Sequence, residues 1–191
     1  MAALAESLVD EWLNRQGFFT VRGVRHGVDE IDLLAVRPTN VGDLEAWHVE
    51  VQASFRPIGY ISPLLSEHVP SFAKSKTSAK ERPAELLKPC VAAWVEGKFF
   101  STSKRAAREM AWPGLKWKPT LVHAVVREAA ELPLIASHGI TLLPLHSVLA
   151  DLRHAAGKLK GSAGTDLAEI IEYYNTFVVP ANKSLDRTRD V

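Results

Sequence analysis

Residues 29–54 constrain this chain more than any other stretch. Asp29-Glu30-Ile31-Asp32-Leu33-Leu34-Ala35-Val36 and Trp47-His48-Val49-Glu50-Val51-Gln52-Ala53-Ser54 both alternate apolar and polar residues in runs rich in β-branched and other apolar side chains, as half-buried strands do. The break between them, Arg37 to Glu45, holds Pro38, Asn40, Gly42 and Asp43 and suits a hairpin loop. Side chains alternate faces along a strand. The first strand is therefore expected to put Glu30, Asp32, Leu34 and Val36 on one face. The second puts His48, Glu50, Gln52 and Ser54 together, opposite Trp47, Val49, Val51 and Ala53. Pairing the two strands sets Asp32 beside Glu50. Two carboxylates that close repel unless a proton or a cation intervenes. Mg2+, a hard ion that prefers oxygen, is the usual answer. One acid in such a strand reads simply as its solvent-facing side; two acids in adjacent apolar strands point to a site.

Asp32 with Glu50-Val51-Gln52, and the phrase Glu30-Ile31-Asp32-Leu33-Leu34-Ala35, resemble the PD-(D/E)xK nuclease superfamily, which includes restriction endonucleases and Holliday-junction resolvases. The likeness covers about the first third of the chain well and the remainder by element order only. It implies an α/β fold with a restriction endonuclease-like αβββαβ core, a mixed central sheet flanked by helices and extra C-terminal helices. It also implies a metal-dependent endonuclease hydrolysing phosphodiester bonds, with Asp32, Glu50 and the carbonyl of Val51 holding Mg2+ or Mn2+. DNA is the substrate expected from the family. Glu6, on the first helix, is the acid expected to join the site. Where the family has lysine this chain has Gln52, which carries no charge and cannot act as a base but can orient a water. A lysine from the following helix is expected to take over, with Lys74, Lys76 and Lys80 as candidates. The competing expectation is a nuclease-fold module without catalysis that binds nucleic acid or a protein partner.

Charge is distributed as such a protein needs. The formal net charge is +1, but residues 1–73 carry 5 Lys/Arg against 10 Asp/Glu, and residues 74–118 carry 11 against 4. Carboxylates suit an ion, and a basic segment suits a phosphate backbone. Lys74, Lys76, Lys80, Lys104, Arg105 and Arg108 are the expected nucleic-acid contacts; Arg56 and Tyr60, on an irregular stretch, are further candidates. A basic helix also reads simply as a solvated face. Trp94, Trp112 and Trp117 lie in the same basic stretch, Trp94 expected in the core.

The chain has 191 residues, enough for one domain with a real core. The expected division is a single α/β domain over 1–179 and a polar tail over 180–191. No apolar run is long enough for a membrane span. Cys90 is the only cysteine, so no internal disulfide forms, which suits a reducing, cytoplasmic setting. Enzymes that cut both strands are often twofold dimers, so a homodimer is expected.

In chain order, the pattern predicts a helix over 3–15 with Leu4, Leu8, Val9, Trp12 and Leu13 inward, then a strand over 18–25 and a turn at His26-Gly27-Val28. After the two acid-bearing strands comes a Pro-rich loop over 55–71. Helices follow over 79–95, with Pro83 and Pro89 threatening its continuity, and from Ser101 or Thr102. A strand over 120–126, a crossover helix over 128–138 and a strand over 140–145 form a right-handed β-α-β unit. A helix over 146–156, a linker over 157–164 and a last helix from Thr165 or Asp166 complete the reading.

Overall fold

The antiparallel hairpin at the centre forms because each of its strands has apolar residues to bury and a turn holding Asn40, Gly42 and Asp43 joins them. The computed structural model describes residues 2–40, 42–53 and 57–154. Helix α1 (Ala2–Arg15) leads into β1 (Phe19–His26), β2 (Asp29–Pro38) and β3 (Leu44–Gln52). A short helical stretch follows, a 3-10 turn at Ser66–His68 and α2 (Val69–Phe72), then α3 (Ala84–Val95), a π-helical turn (Glu96–Phe100) and α4 (Thr102–Ala111). The chain closes with β4 (Trp117–His123), α5 (Glu131–Ser137), β5 (Thr141–Pro144) and α6 (Leu145–His154). The expected linker, last helix and tail lie outside the described residues. No described helix is long and apolar enough to cross a membrane.

The strands form one mixed sheet in the order β1-β2-β3-β4-β5. β2 runs antiparallel to both β1 and β3, and β3, β4 and β5 run parallel. Two layers of helices cover it. On one face Leu8, Val9, Trp12 and Leu13 of α1 and Val148 and Leu152 of α6 pack on Leu33, Ala35, Val49, Val51 and Val122. On the other, Leu87, Val91 and Val95 of α3, Phe99 and Ile135 pack with Leu121, while Ala107 of α4 covers Ile31 and Leu34. Leu4, expected inward, is exposed.

Differences from the expected elements have local causes. Helix α3 starts at Ala84, not Ala79, because Pro83 takes the extended N-cap conformation there; it then runs through Pro89 as one helix, losing a single hydrogen bond. Strand β4 starts at Trp117 and includes Pro119. That proline precedes Thr120, where β5 first pairs, so β4 has a free edge at that point and a missing N–H costs little. Strict alternation in β2 fails at Asp32. Ile31 and Leu34 share one cluster while Leu33 and Ala35 lie in the other.

Beyond β3 the chain is fastened by a buried acid. Glu131 is fully buried and accepts the N–H groups of Ile61 at 2.6 Å and Ser62 at 2.7 Å, with the Ser62 hydroxyl also donating to it. Arg82 lies over the Tyr60 ring and donates to the Ser62 carbonyl. Buried donors left unpaired cost about 1–3 kcal/mol each. Glu131→Gln turns one acceptor into a donor facing these groups. It is expected to lower stability by about 1–3 kcal/mol, read as a lower urea midpoint with an unchanged slope; an unchanged midpoint contradicts the anchor.

Candidate active site

Asp32 is the one residue of β2 without a partner in either ladder. On one side the pairs pass from Arg22↔Leu33 to Val24↔Ile31, skipping Gly23 and Asp32. Gly23 has φ +62°, a conformation costly for residues with a Cβ. On the other side the β2–β3 ladder stops at Leu33↔Val49. Two residues further on, the Val51 N–H donates to Asp32 Oδ2 at 2.7 Å. The carboxylate thus takes the amide that the diverging backbone leaves without a partner. A strand residue's N–H and C=O point to the same edge, so the Val51 carbonyl faces this same gap.

Glu50 lies on the α3/α4 face of β3 and is 1% exposed. A buried carboxylate must be paired, and this one is paired on both oxygens. Oε1 accepts from His48 Nε2 at 2.9 Å and Lys104 Nζ at 2.5 Å; Oε2 is 3.3 Å from Lys98 Nζ. Lys104 also donates to the Glu30 carbonyl. Arg108 Nη1 donates to His48 Nδ1 at 2.8 Å and to the Phe99 carbonyl at 2.7 Å. An arginine can only donate, so His48 Nδ1 is the acceptor and its proton sits on Nε2, toward Glu50. Burial, then the charges of Arg108 and Lys104, outweigh Glu50 and hold the His48 pKa below its ordinary value. The ring is neutral.

The two acids are driven apart. Burial alone pushes the Glu50 pKa up, but the hydrogen bond from His48 and the charges of Lys98 and Lys104 bring it below the ordinary value. Asp32 is pushed up to about 6 by burial and by the charge of Glu50, against the pull of the Val51 N–H and Lys98. One carboxylate stays ionised and its neighbour titrates near neutrality, a pairing typical of functional sites.

Asp32 opens onto a groove of about 460 Å³ lined by Val28, Asp29, Glu30, Trp94, Lys98 and Lys104 among others. An apolar cleft of about 450 Å³ lies at the ends of β4 and β5, lined by residues such as Pro57, Leu132, Leu145 and Leu149; neither carboxylates nor lysines line it, so the groove is the better candidate.

Several expected residues sit elsewhere than expected. Lys74, Lys76 and Lys80 do not approach the acids: all three are exposed on the segment between α2 and α3, and Lys80 folds onto Phe72. The ammonium groups at Glu50 are those of Lys98 and Lys104. Lys104 and Arg108 are not exposed cations for phosphate; they serve Glu50 and His48. Arg105 is exposed, near Glu96. Tyr60 is covered by Arg82 and its hydroxyl accepts the Arg82 N–H; Arg56 lies outside the described residues. Glu6 borders the site: it pairs with Arg22 at 3.6 Å, and its charge reaches Asp32. Gln52 ends β3 half-buried, opposite His123 in the ladder. Trp94 packs on Phe99 and also lines the groove. Sequence reasoning passed over Lys98 and the cage that His48, Lys104 and Arg108 build around Glu50. A signal existed: His48 and Glu50 are two apart on one strand face, and Lys104 and Arg108 four apart on one helix face.

No family model matches this chain, and no curated protein matches it. Among solved structures, that of a protein of unknown function, AF1548, is similar with 16% identity and a TM-score of 0.46, over 90% of this chain and 75% of that one.

The raised pKa of Asp32 carries a stability consequence. Its protonated form is favoured by folding, so this contribution is complete below pH 3.8 and is lost as pH rises through about 6. Asp32→Asn keeps the acceptor for Val51 and removes the charge. In metal-free buffer it is expected to be more stable than wild type by about 1–3 kcal/mol at pH 8, with the difference vanishing by pH 3.5. Urea midpoints at the two pH values measure it; a less stable variant at pH 8 contradicts the assignment.

Proposed function

We propose that this protein is a metal-dependent nuclease of the PD-(D/E)xK type, with a restriction endonuclease-like core, that hydrolyses phosphodiester bonds in DNA. The observation that carries the reading is Asp32, released from both ladders at the mouth of a groove, beside a buried and ionised Glu50. Structural ion pairs alone do not need a second acid with a raised pKa next to the first.

The donors suit a divalent ion. Among the described residues no three His, Cys, Asp or Glu side chains gather as a metal-binding group. The set here is two carboxylates with a carbonyl in the same gap. Mg2+ is commonly held by one or two carboxylates, with waters and substrate phosphates completing the shell. Asp32, Glu50 through Oε2 and the Val51 carbonyl would hold Mg2+ or Mn2+. When bound, the ion supplies a Lewis acid for the phosphate and lowers the pKa of a bound water.

The chain's own groups do the rest. The Val51 N–H orients Asp32. His48 and Lys104 fix the Glu50 plane, so the acids are preorganised. Lys98 stands in the groove and supplies the positive charge that Gln52 lacks, facing the phosphoryl oxygens. Gln52, at the end of β3, orients the attacking water. Lys74, Lys76, Lys80 and Arg105 remain exposed cations for the phosphate backbone. The protein acts as a twofold dimer if it cuts both strands.

The alternative is a binding module, favoured by the lysines already paired with Glu50 and by Gln52 at the motif position. Labelled single-stranded, duplex and branched DNA, and RNA, incubated with Mg2+ or Mn2+, decide between them. Cleavage that requires the ion and falls by about 100-fold or more in Asp32→Asn and in Lys98→Met is expected. Intact DNA binding without cleavage under any of these conditions assigns the protein to the binding class.

A further inference from the structure

Two lysines serve one carboxylate, and they are not equivalent. Lys104 is 4% exposed and holds Oε1 of Glu50 together with the Glu30 carbonyl. With His48 it suffices to pair the buried charge. Lys98 is 37% exposed, meets only Oε2, and lines the groove. It rides on the five-residue π-helical turn Glu96–Phe100 after α3, a rare form that is frequent at functional sites. Its charge also reaches Asp32.

Taken together, ionised Asp32 and Glu50 with Lys98 and Lys104 sum to zero. A divalent ion added to that set would leave a charge of about +2 in a half-buried site, where like charges a few ångströms apart repel strongly. Lys104 is locked between two acceptors. Lys98 has one partner and an open groove beside it.

We propose that Lys98 and a divalent ion occupy Glu50 in turn: without the ion the Lys98 ammonium is the counter-charge on Oε2, and ion binding moves it off Glu50 into the groove. The inference rests on the metal reading above and adds an exchange to it. Lys98 is held near the acids until an ion is present, and is then presented toward the substrate phosphate. Moving that ammonium away lowers the charge around the bound ion from about +2 to about +1, through a group that is part of the chain.

Mn2+ titrations followed by the electron paramagnetic resonance of the free ion test this on the full chain, with wild type, Lys98→Met, Lys98→Arg and Asp32→Asn. Lys98→Met is expected to bind Mn2+ about tenfold more tightly than wild type, the scale of one unit charge acting across such a distance. Lys98→Arg keeps the charge and is expected to bind as wild type does. Asp32→Asn is expected to lose the site. Brief labelling of wild type with an amine-reactive ester, read by mass spectrometry, gives a second measurement: Lys98 becomes more reactive on adding Mn2+ while Lys104 stays protected. If Asp32→Asn abolishes binding but Lys98→Met binds no more tightly than wild type, the exchange is wrong and the metal reading stands. Unchanged Lys98 labelling in the ion-bound protein overturns it in the same way. Absence of binding by both wild type and Lys98→Met removes the metal reading and the exchange together.

Discussion

The buried carboxylate of Glu50 is the constraint on which the rest of the site depends. An ionised acid this deep costs several kcal/mol unless paired and hydrogen-bonded. The fold meets that demand from three elements: His48 from the same strand, Lys98 from the π-helical turn, Lys104 from α4. Arg108 then fixes His48. Helix α4 is therefore placed on the sheet by charge as well as by Ala107. Its polar residues Lys104 and Arg108 face inward because an acid and an imidazole wait for them there.

The second constraint is the opening of the sheet at Asp32. Where β2 skips one pair with β1 and leaves β3, a side chain replaces a backbone partner, and the Val51 amide is satisfied by a carboxylate. The same break re-aims Asp32 toward the groove and toward Glu50. Local irregularities in strands commonly have this effect next to functional sites. The arrangement works against stability at neutral pH, since two acids are held where only one ionises readily. Natural sites accept such a cost when an ion or substrate later offsets it.

Much of this was legible in the sequence. The hairpin with Asp32 and Glu50, the helix before it and the parallel β4-α5-β5 unit all follow from periodicity, because each has one face that must be buried. The cage around Glu50 did not follow. Lys104 and Arg108 look like the solvated face of a basic helix, and only a contact spanning more than fifty residues turns them inward. Lys98 was missed for the same reason: its partner is 48 positions away. The strict alternation expected in β2 failed at Asp32, where pairing is lost on both sides, and no local preference of Ile31 or Asp32 announces that. Pro119 inside β4 was hidden because its tolerance depends on where β5 begins.

The most direct test of the central claim is an anomalous-difference map from crystals of the protein soaked in Mn2+. The account predicts a peak in the gap between Asp32, Glu50 Oε2 and the Val51 carbonyl, with Lys98 withdrawn from Glu50 and Lys104 unmoved. A gap without a peak at saturating Mn2+, with Lys98 still on Glu50, would contradict it.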